Sequence, residues 1–218
     1  MILYSVVFCL LFIFIRLIYL LVKVNIKNGS GCNKKRTGKV KTMIVLGSGG
    51  HTAEMLEIVK ELDITKYAPR YYIIAKTDTN SILKLVDTEV EKEPEKEKHN
   101  FEIIAISRSR EVKQSYWTSI FTTIQATLNC IPILFRTQPD LILTNGPGTC
   151  VPVCLVAFWL KIFFINLNCQ IVYVESYCRV KTLSLSGKIL LWLSNLFVAQ
   201  WPEVAKTSTK IKYFGRLS

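Results

Sequence analysis

Histidine is almost missing from this chain: His51 and His99 are the only two in 218 residues. A histidine-rich metal site is therefore not expected. The seven cysteines are odd in number, include no C-x-x-C, and in several cases sit within apolar runs. Buried free thiols in a reducing compartment fit that usage better than a disulfide frame or a zinc site. The soluble part also lacks any run of basic residues interleaved with stacking aromatics. Nucleic acid is thus not an expected partner, despite a formal net charge of +12. No internal repeat is visible. No Lys or Arg precedes Arg16 and no A-x-A-like site follows, features that a cleaved signal peptide would want.

What stands at the amino terminus is a long apolar run. Met1 to Val22 is apolar apart from Ser5, Arg16 and the hydroxyls of Tyr4 and Tyr19. At about 1.5 Å per residue it is long enough to cross a bilayer core, and it reads as a retained anchor. Arg16 falls in its last third, from where its stem can snorkel to the polar boundary. Lys23, Lys27, Lys34, Lys35, Arg36, Lys39 and Lys41 follow the span, and only the α-amino group precedes it. The positive-inside rule then puts the amino terminus in the lumen and the bulk of the chain in the cytosol. The same basic flank favours an anionic leaflet. The sequon Asn28-Gly29-Ser30 argues the other way, but it lies close to the membrane and is outweighed by that cluster of charge.

The chain divides into an anchor (1–22), a basic, Gly-containing linker (23–41) and one domain (42–218). In the domain, strand-like and helix-like segments alternate. Strand patterns are expected at Thr42–Leu46, Arg70–Lys76, Phe101–Ser107, Leu141–Thr144, Gln170–Glu175 and Leu196–Gln200. Helices are expected at Ala53–Leu62, at Trp117–Arg136 with a break near Pro132, at Val151–Asn166 and at Ser186–Leu193. This alternation predicts an α/β fold, a single Rossmann-like domain with a mainly parallel sheet. Asp87 to Lys98 is charged and apolar-poor, and reads as an exposed loop or frayed helix end, with His99 at its edge. Val151 to Leu167 is apolar enough to raise a second span. The strand patterns on either side favour a buried crossover helix, or one that presses a face into the membrane surface.

Ligands of a parallel sheet gather at the carboxyl ends of its strands, and three unusual segments fall there. "GSGGHT" comprises Gly47, Ser48, Gly49, Gly50, His51 and Thr52. Its glycines let backbone N–H groups approach a ligand, and the following helix start favours a phosphate. The sixth position is Thr52 rather than Gly or Ala, so the dinucleotide fingerprint fails; no Gly-Lys-Ser/Thr follows, so a P-loop fails too. A tight turn capped by Thr52 is the plain alternative. His51 suits either a neutral base near a sugar hydroxyl or a packing role. "TNGPGT" carries Asn145, Gly146, Pro147 and Gly148, which enforce a sharp turn before the next helix. Glu175 ends an apolar strand, where it can bind a sugar hydroxyl, act as a base, or pair with Arg179. Arg108 and Arg110, in "SRSREVKQS", follow another strand and can clamp an acidic ligand.

Taken together and in order, "VLGSGGHTAEML", "SRSREVKQS", "PDLILTNGPGTCVPVC", "YVESYCRVKTLSLSGKIL", "QWPE" and "YFGRL" carry a resemblance across roughly Met43–Leu217. The chain resembles the membrane-anchoring subunits of the two-chain UDP-N-acetylglucosamine transferase of the dolichol pathway. The resemblance implies an acceptor-side half of a GT-B type glycosyltransferase, similar to the amino-terminal half of the bacterial enzyme that makes lipid II. It implies a small cytosolic partner chain that binds the donor. The pair would move N-acetylglucosamine from UDP-N-acetylglucosamine to N-acetylglucosaminyl-diphospho-dolichol on the cytosolic face of the endoplasmic reticulum, for protein N-glycosylation. This chain alone would be inactive, and its carboxyl-terminal tail would dock onto the partner.

The same resemblance implies residue roles. The acceptor diphosphate would lie at Gly47, Ser48, Gly49, Gly50 and Thr52, with Arg108 or Arg110 helping to neutralise it. Asn145, Gly146 and Gly148 would form the acceptor-side turn. His51 or Glu175 would take the proton from the acceptor 4-hydroxyl, and neither a metal nor another cofactor is expected. At Asn195 the chain departs from the family pattern, which has Asp. Two rival readings stay open: a self-sufficient membrane-surface glycosyltransferase, active without a partner, and a non-catalytic scaffold.

Overall fold

Short runs of aliphatic and β-branched residues make the strands. They are β1 (Thr42–Val45), β2 (Arg70–Ala75), β3 (Phe101–Ile106), β4 (Leu141–Thr144), β5 (Gln170–Val174), β6 (Leu196–Ala199) and β7 (Ile211–Tyr213). The computed structural model describes residues 2–26, 38–92, 100–107 and 116–217. Among these, the seven strands form one sheet in the order β3-β2-β1-β4-β5-β6-β7, and every neighbouring pair is parallel. The sheet is α/β and Rossmann-like, as expected. The connecting helices are α2 (Gly50–Lys60), α3 (Thr79–Lys92), α4 (Tyr116–Thr137), α5 (Cys150–Ile162), α6 (Leu185–Leu190) and α7 (Pro202–Ala205), preceded by α1 (Ile2–Ile26).

Both faces of the sheet are covered, because alternate residues of β1 go to different cores. Met43 and Val45 join Ile142, Ile171 and Phe197 under α4 and α5, while Ile44 and Leu46 join Met55, Val59 and Leu85 under α2 and α3. The chain crosses from one face to the other between β1 and β4. Those two strands are neighbours in register, with Val45 opposite Thr144. That junction is the topological switch point at which open α/β sheets bind ligands.

Several elements differ from expectation for identifiable reasons. Helix α3 ends within the segment read as an exposed loop or frayed helix end, and its buried face mixes Leu85 with the polar Ser81, Thr88 and Glu89, which blurs its apolar pattern. Glu89 is buried because it pairs with the equally buried Arg70, at 2.6 Å from Nη2, and accepts from the Tyr72 hydroxyl. Helix α4 runs unbroken through Pro132, with Cys130 and Leu134 on either side locked into the core. Helix α5 ends at Ile162, and at 13 residues it is too short to cross a bilayer. Elements α7 and β7 were not anticipated.

Helix α1 continues through Ile26, into the stretch read as linker. Its last two turns lie against the domain, where Leu20 and Val24 are buried and Leu17 and Leu21 partly so. Arg16 reaches back to the domain. Its guanidinium donates to the Lys161 carbonyl at 3.4 Å and lies 4.1 Å over the Phe164 ring. The carbonyl end of α5 is the negative end of a helix dipole, which explains the attraction. The sequon, Arg108, Arg110, Pro94 and His99 lie outside the described residues.

Candidate functional site

Three loops follow β1, β4 and β5 side by side, and the structure locks them together. After β1 the chain turns at Gly47, which is buried, while Ser48, Gly49 and Gly50 are exposed. Gly49 has φ 60°, ψ −119°, a conformation suited to glycine. A β-carbon on Gly47 would come within 2.6 Å of the His51 Cβ and 2.9 Å of the Pro147 Cβ. Only glycine therefore lets the first and second loops pack this closely. The Asn145 amide completes the lock, its Nδ2 donating to the His51 carbonyl at 2.6 Å.

Helix α2 begins at Gly50, so His51 and Thr52 lie in its first turn, and no side chain caps it. Thr52 is buried and its hydroxyl donates to the Gly47 carbonyl at 2.6 Å, with Ser81 at 2.8 Å. It holds the loop from behind and is not the cap. The exposed Ser48–Gly50 turn thus leads directly into a helix start whose N–H groups are uncapped by side chains, a geometry suited to anions.

Glu175 occupies the centre of the third loop and is 1% exposed. One carboxylate oxygen accepts from the Ser176 amide at 3.1 Å and the Tyr173 hydroxyl at 3.3 Å. The other accepts from the Ser184 amide at 3.0 Å and hydroxyl at 3.2 Å. Ser184 in turn caps α6 by accepting from the Gly187 amide at 2.9 Å. Gly187 is packed against the Glu175 Oε2, which occupies the space of a β-carbon there. Burial and the nearby carboxylate push the Tyr173 hydroxyl well above its usual pKa, so it stays a donor. The pairing with Arg179 considered from sequence is replaced by this cage.

The site's parts converge on Gly146, which has φ 98°. The position of its missing β-carbon lies 3.0 Å from the Tyr173 hydroxyl, 3.7 Å from His51 Cε1 and 3.8 Å from Glu175 Oε1. His51 is half-buried, and its Nδ1 is enclosed without a hydrogen-bond partner among the described residues, as is Asn145 Oδ1. Such groups at a switch point call for a polar ligand. Cys150 sits beside them at the start of α5, but burial pushes its thiol up to about 12, which keeps it protonated and rules it out as a nucleophile at neutral pH. Among the described residues no cluster of three His, Cys, Asp or Glu side chains could hold a metal ion.

Two contributors escaped the sequence reading. Glu54, on α2, accepts from the Ser176 hydroxyl at 2.9 Å and the Tyr177 amide at 3.3 Å, tying the first loop's helix to the third loop. Gln200 donates to the Glu175 carbonyl at 3.3 Å and accepts from the Leu217 amide at 3.2 Å, so the tail reaches the same network. Asn195 does with its amide oxygen what a carboxylate would do, accepting from the Ile171 amide at 2.9 Å. Loss of the Ser184 cap tests this local wiring. Ser184→Ala is expected to lower stability by about 1–2 kcal/mol, read as a fall in the thermal midpoint of the purified chain.

Comparison with known proteins follows the same outline. A family model described as "Oligosaccharide biosynthesis protein Alg14 like" matches residues 42–217. The chain is 47% identical over 178 residues to a rat protein named UDP-N-acetylglucosamine transferase subunit ALG14, covering 80% of this chain and 82% of that one. It is 45% identical to the human protein of that name over 178 residues, with the same coverage. It is 39% identical to the Schizosaccharomyces pombe one over 194 residues, 87% of this chain and 89% of that one. Among solved structures, the fold is like that of Acinetobacter baumannii MurG, with TM-score 0.56 and 14% identity, covering 79% of this chain and 45% of that one. A UDP-N-acetylglucosamine 2-epimerase is similar at TM-score 0.52 and 18% identity, covering 75% and 41%. The chain thus spans under half the length of these two solved structures.

Proposed function

The chain belongs to the Alg14 family, and from that membership we propose that it is the membrane-bound, acceptor-side subunit of a two-chain N-acetylglucosaminyltransferase of the endoplasmic reticulum. The amino terminus is lumenal and the domain cytosolic. A small donor-binding chain supplies UDP-N-acetylglucosamine, and the acceptor is N-acetylglucosaminyl-diphospho-dolichol. The observation that carries this reading is the match of residues 42–217 to a family whose curated relatives are named transferase subunits, on a Rossmann-like sheet whose switch-point loops are locked together. In this reading the unit offers one wall of a cleft, and the partner offers the other.

In this reading the exposed Ser48–Gly50 turn and the start of α2 hold the acceptor diphosphate. Gly47 and Thr52 fix the turn's shape, and Arg108 or Arg110 adds positive charge. The Asn145–Gly148 turn lines the acceptor side. The acceptor 4-hydroxyl oxygen attacks the anomeric carbon of the donor sugar. The bond to UDP breaks and UDP leaves with the electron pair. His51 takes the hydroxyl proton. Glu175, whose two oxygens are already occupied by donors, organises the wall instead of moving protons.

Co-expression tests the division of labour. Membranes holding both chains should transfer labelled N-acetylglucosamine to a short-chain acceptor, and membranes holding either chain alone should not. Turnover by this chain alone would overturn the two-chain reading in favour of a self-sufficient enzyme. Full turnover by complexes with altered glycine loops would favour a scaffold.

A further inference from the structure

The two faces of the sheet differ in charge. Over α2 and α3 the charged Glu57, Lys60, Lys84, Asp87 and Glu91 are exposed and surround the exposed Leu83, Val86 and Val90. Helix α4, on the other face, has one charged residue in its 22, Arg136 near its end. From Ile120 to Phe135 it exposes a stripe of large apolar side chains beside Gln125 and Asn129: Phe121 is 76% exposed, Leu128 59%, Phe135 55% and Ile124 53%. The carboxyl end of the adjacent α5 continues this surface with the exposed rings of Phe163 and Phe164.

Helix α1 tells which way that surface faces. Phe12 is already stacked on Phe164, at 6.3 Å between ring centroids, and the turns after Arg16 are docked on the domain. Yet the outward side of those docked turns remains apolar, with Ile18, Tyr19 and Val22 each about half exposed. A helix leaving the membrane at Arg16 would have no reason to keep an apolar outer side beyond it.

We propose that the face that carries α4 and the end of α5 is embedded in the cytosolic leaflet beside the anchor. The occupant of the α4 stripe is lipid. Continuity with the anchor through the Phe12–Phe164 and Arg16–Lys161 contacts supports this assignment. The proposal rests on the reading of α1 as a membrane anchor.

The test uses the full chain with Cys9, Cys32 and Cys178 changed to serine, leaving the buried Cys130, Cys150, Cys154 and Cys169 in place. Phe121→Cys, Leu128→Cys and Glu57→Cys variants carry a nitroxide and are reconstituted in vesicles of phosphatidylcholine and phosphatidylserine. Relaxation by oxygen should exceed relaxation by a water-soluble nickel chelate at 121 and 128, and the order should reverse at 57. If the nickel chelate dominates at all three positions, the face is aqueous and the proposal is wrong. Shielding of 121 and 128 from both reagents would mean a protein partner and would equally overturn it. Flotation of the labelled chain with the vesicles is scored first. Failure to float defeats the anchor reading and this proposal together, whereas flotation with aqueous labels defeats this proposal alone.

Discussion

Replacing His51 by asparagine should lower turnover of the assembled transferase by about 10²–10⁴-fold, with little change in assembly or membrane attachment. The side chain is half-buried at the switch point, and its Nδ1 makes no hydrogen bond among the described residues. Its carbonyl, which Asn145 grips, belongs to the backbone and survives the substitution. Asparagine keeps a small polar side chain in the first turn of α2 but supplies no base. The check is single-turnover transfer to a short-chain acceptor, together with co-purification of the donor-binding chain. Near-normal turnover would show that the imidazole only shapes the loop.

Glu175→Ala should destabilise the domain by several kcal/mol, on the order of 1–3 kcal/mol for each buried donor it strands, and should remove activity as a consequence. The change strands the Ser176 and Ser184 amides and the Tyr173 and Ser184 hydroxyls around an empty space. Glu175→Gln is the sharper probe. Each carboxylate oxygen accepts from a backbone N–H, and neither amide can turn away. Either orientation of a glutamine therefore points an NH₂ group at a donor, costing about 1–3 kcal/mol. For a domain of this size that is a fall in melting temperature of roughly 2–12 °C. A catalytic base would behave differently: glutamine would abolish turnover and leave the melting temperature where it was. Gly187→Ala should reproduce the alanine phenotype, because its β-carbon overlaps Glu175 Oε2.

Much of this was legible in the sequence, and the misses share a cause. Strands are short apolar runs between glycines and prolines, so β1, β2, β4 and β5 were bounded to within a residue or so. The glycine turns were legible because only a few residues tolerate such backbone paths. Helix α3 was not, because its inner face mixes Leu85 with Ser81, Thr88 and Glu89, and the burial of Glu89 depends on Arg70 in a different element. The cage around Glu175 was hidden for the same reason. Glu54 and Ser176 are 122 positions apart, and nothing local marks them as partners. The sequence marked Glu175 as special by its place at a strand end, but only its neighbours show that both oxygens are spoken for.

The strand order also sets a timetable. No two strands are joined by a hairpin, since all are parallel, so each pairing waits for a helix to cross over. The central strand β1 finds β2 soon, but its other edge is reserved for β4, with Met43 beside Ile142. During synthesis that edge stays open until about two thirds of the chain has been made. All this happens while α1, made first, already holds the unfinished sheet beside the membrane. The interval in which the chain is most prone to wrong pairing is therefore the translation of residues 76–140, and slowing or speeding synthesis there should change the yield of folded subunit more than the same change after residue 175.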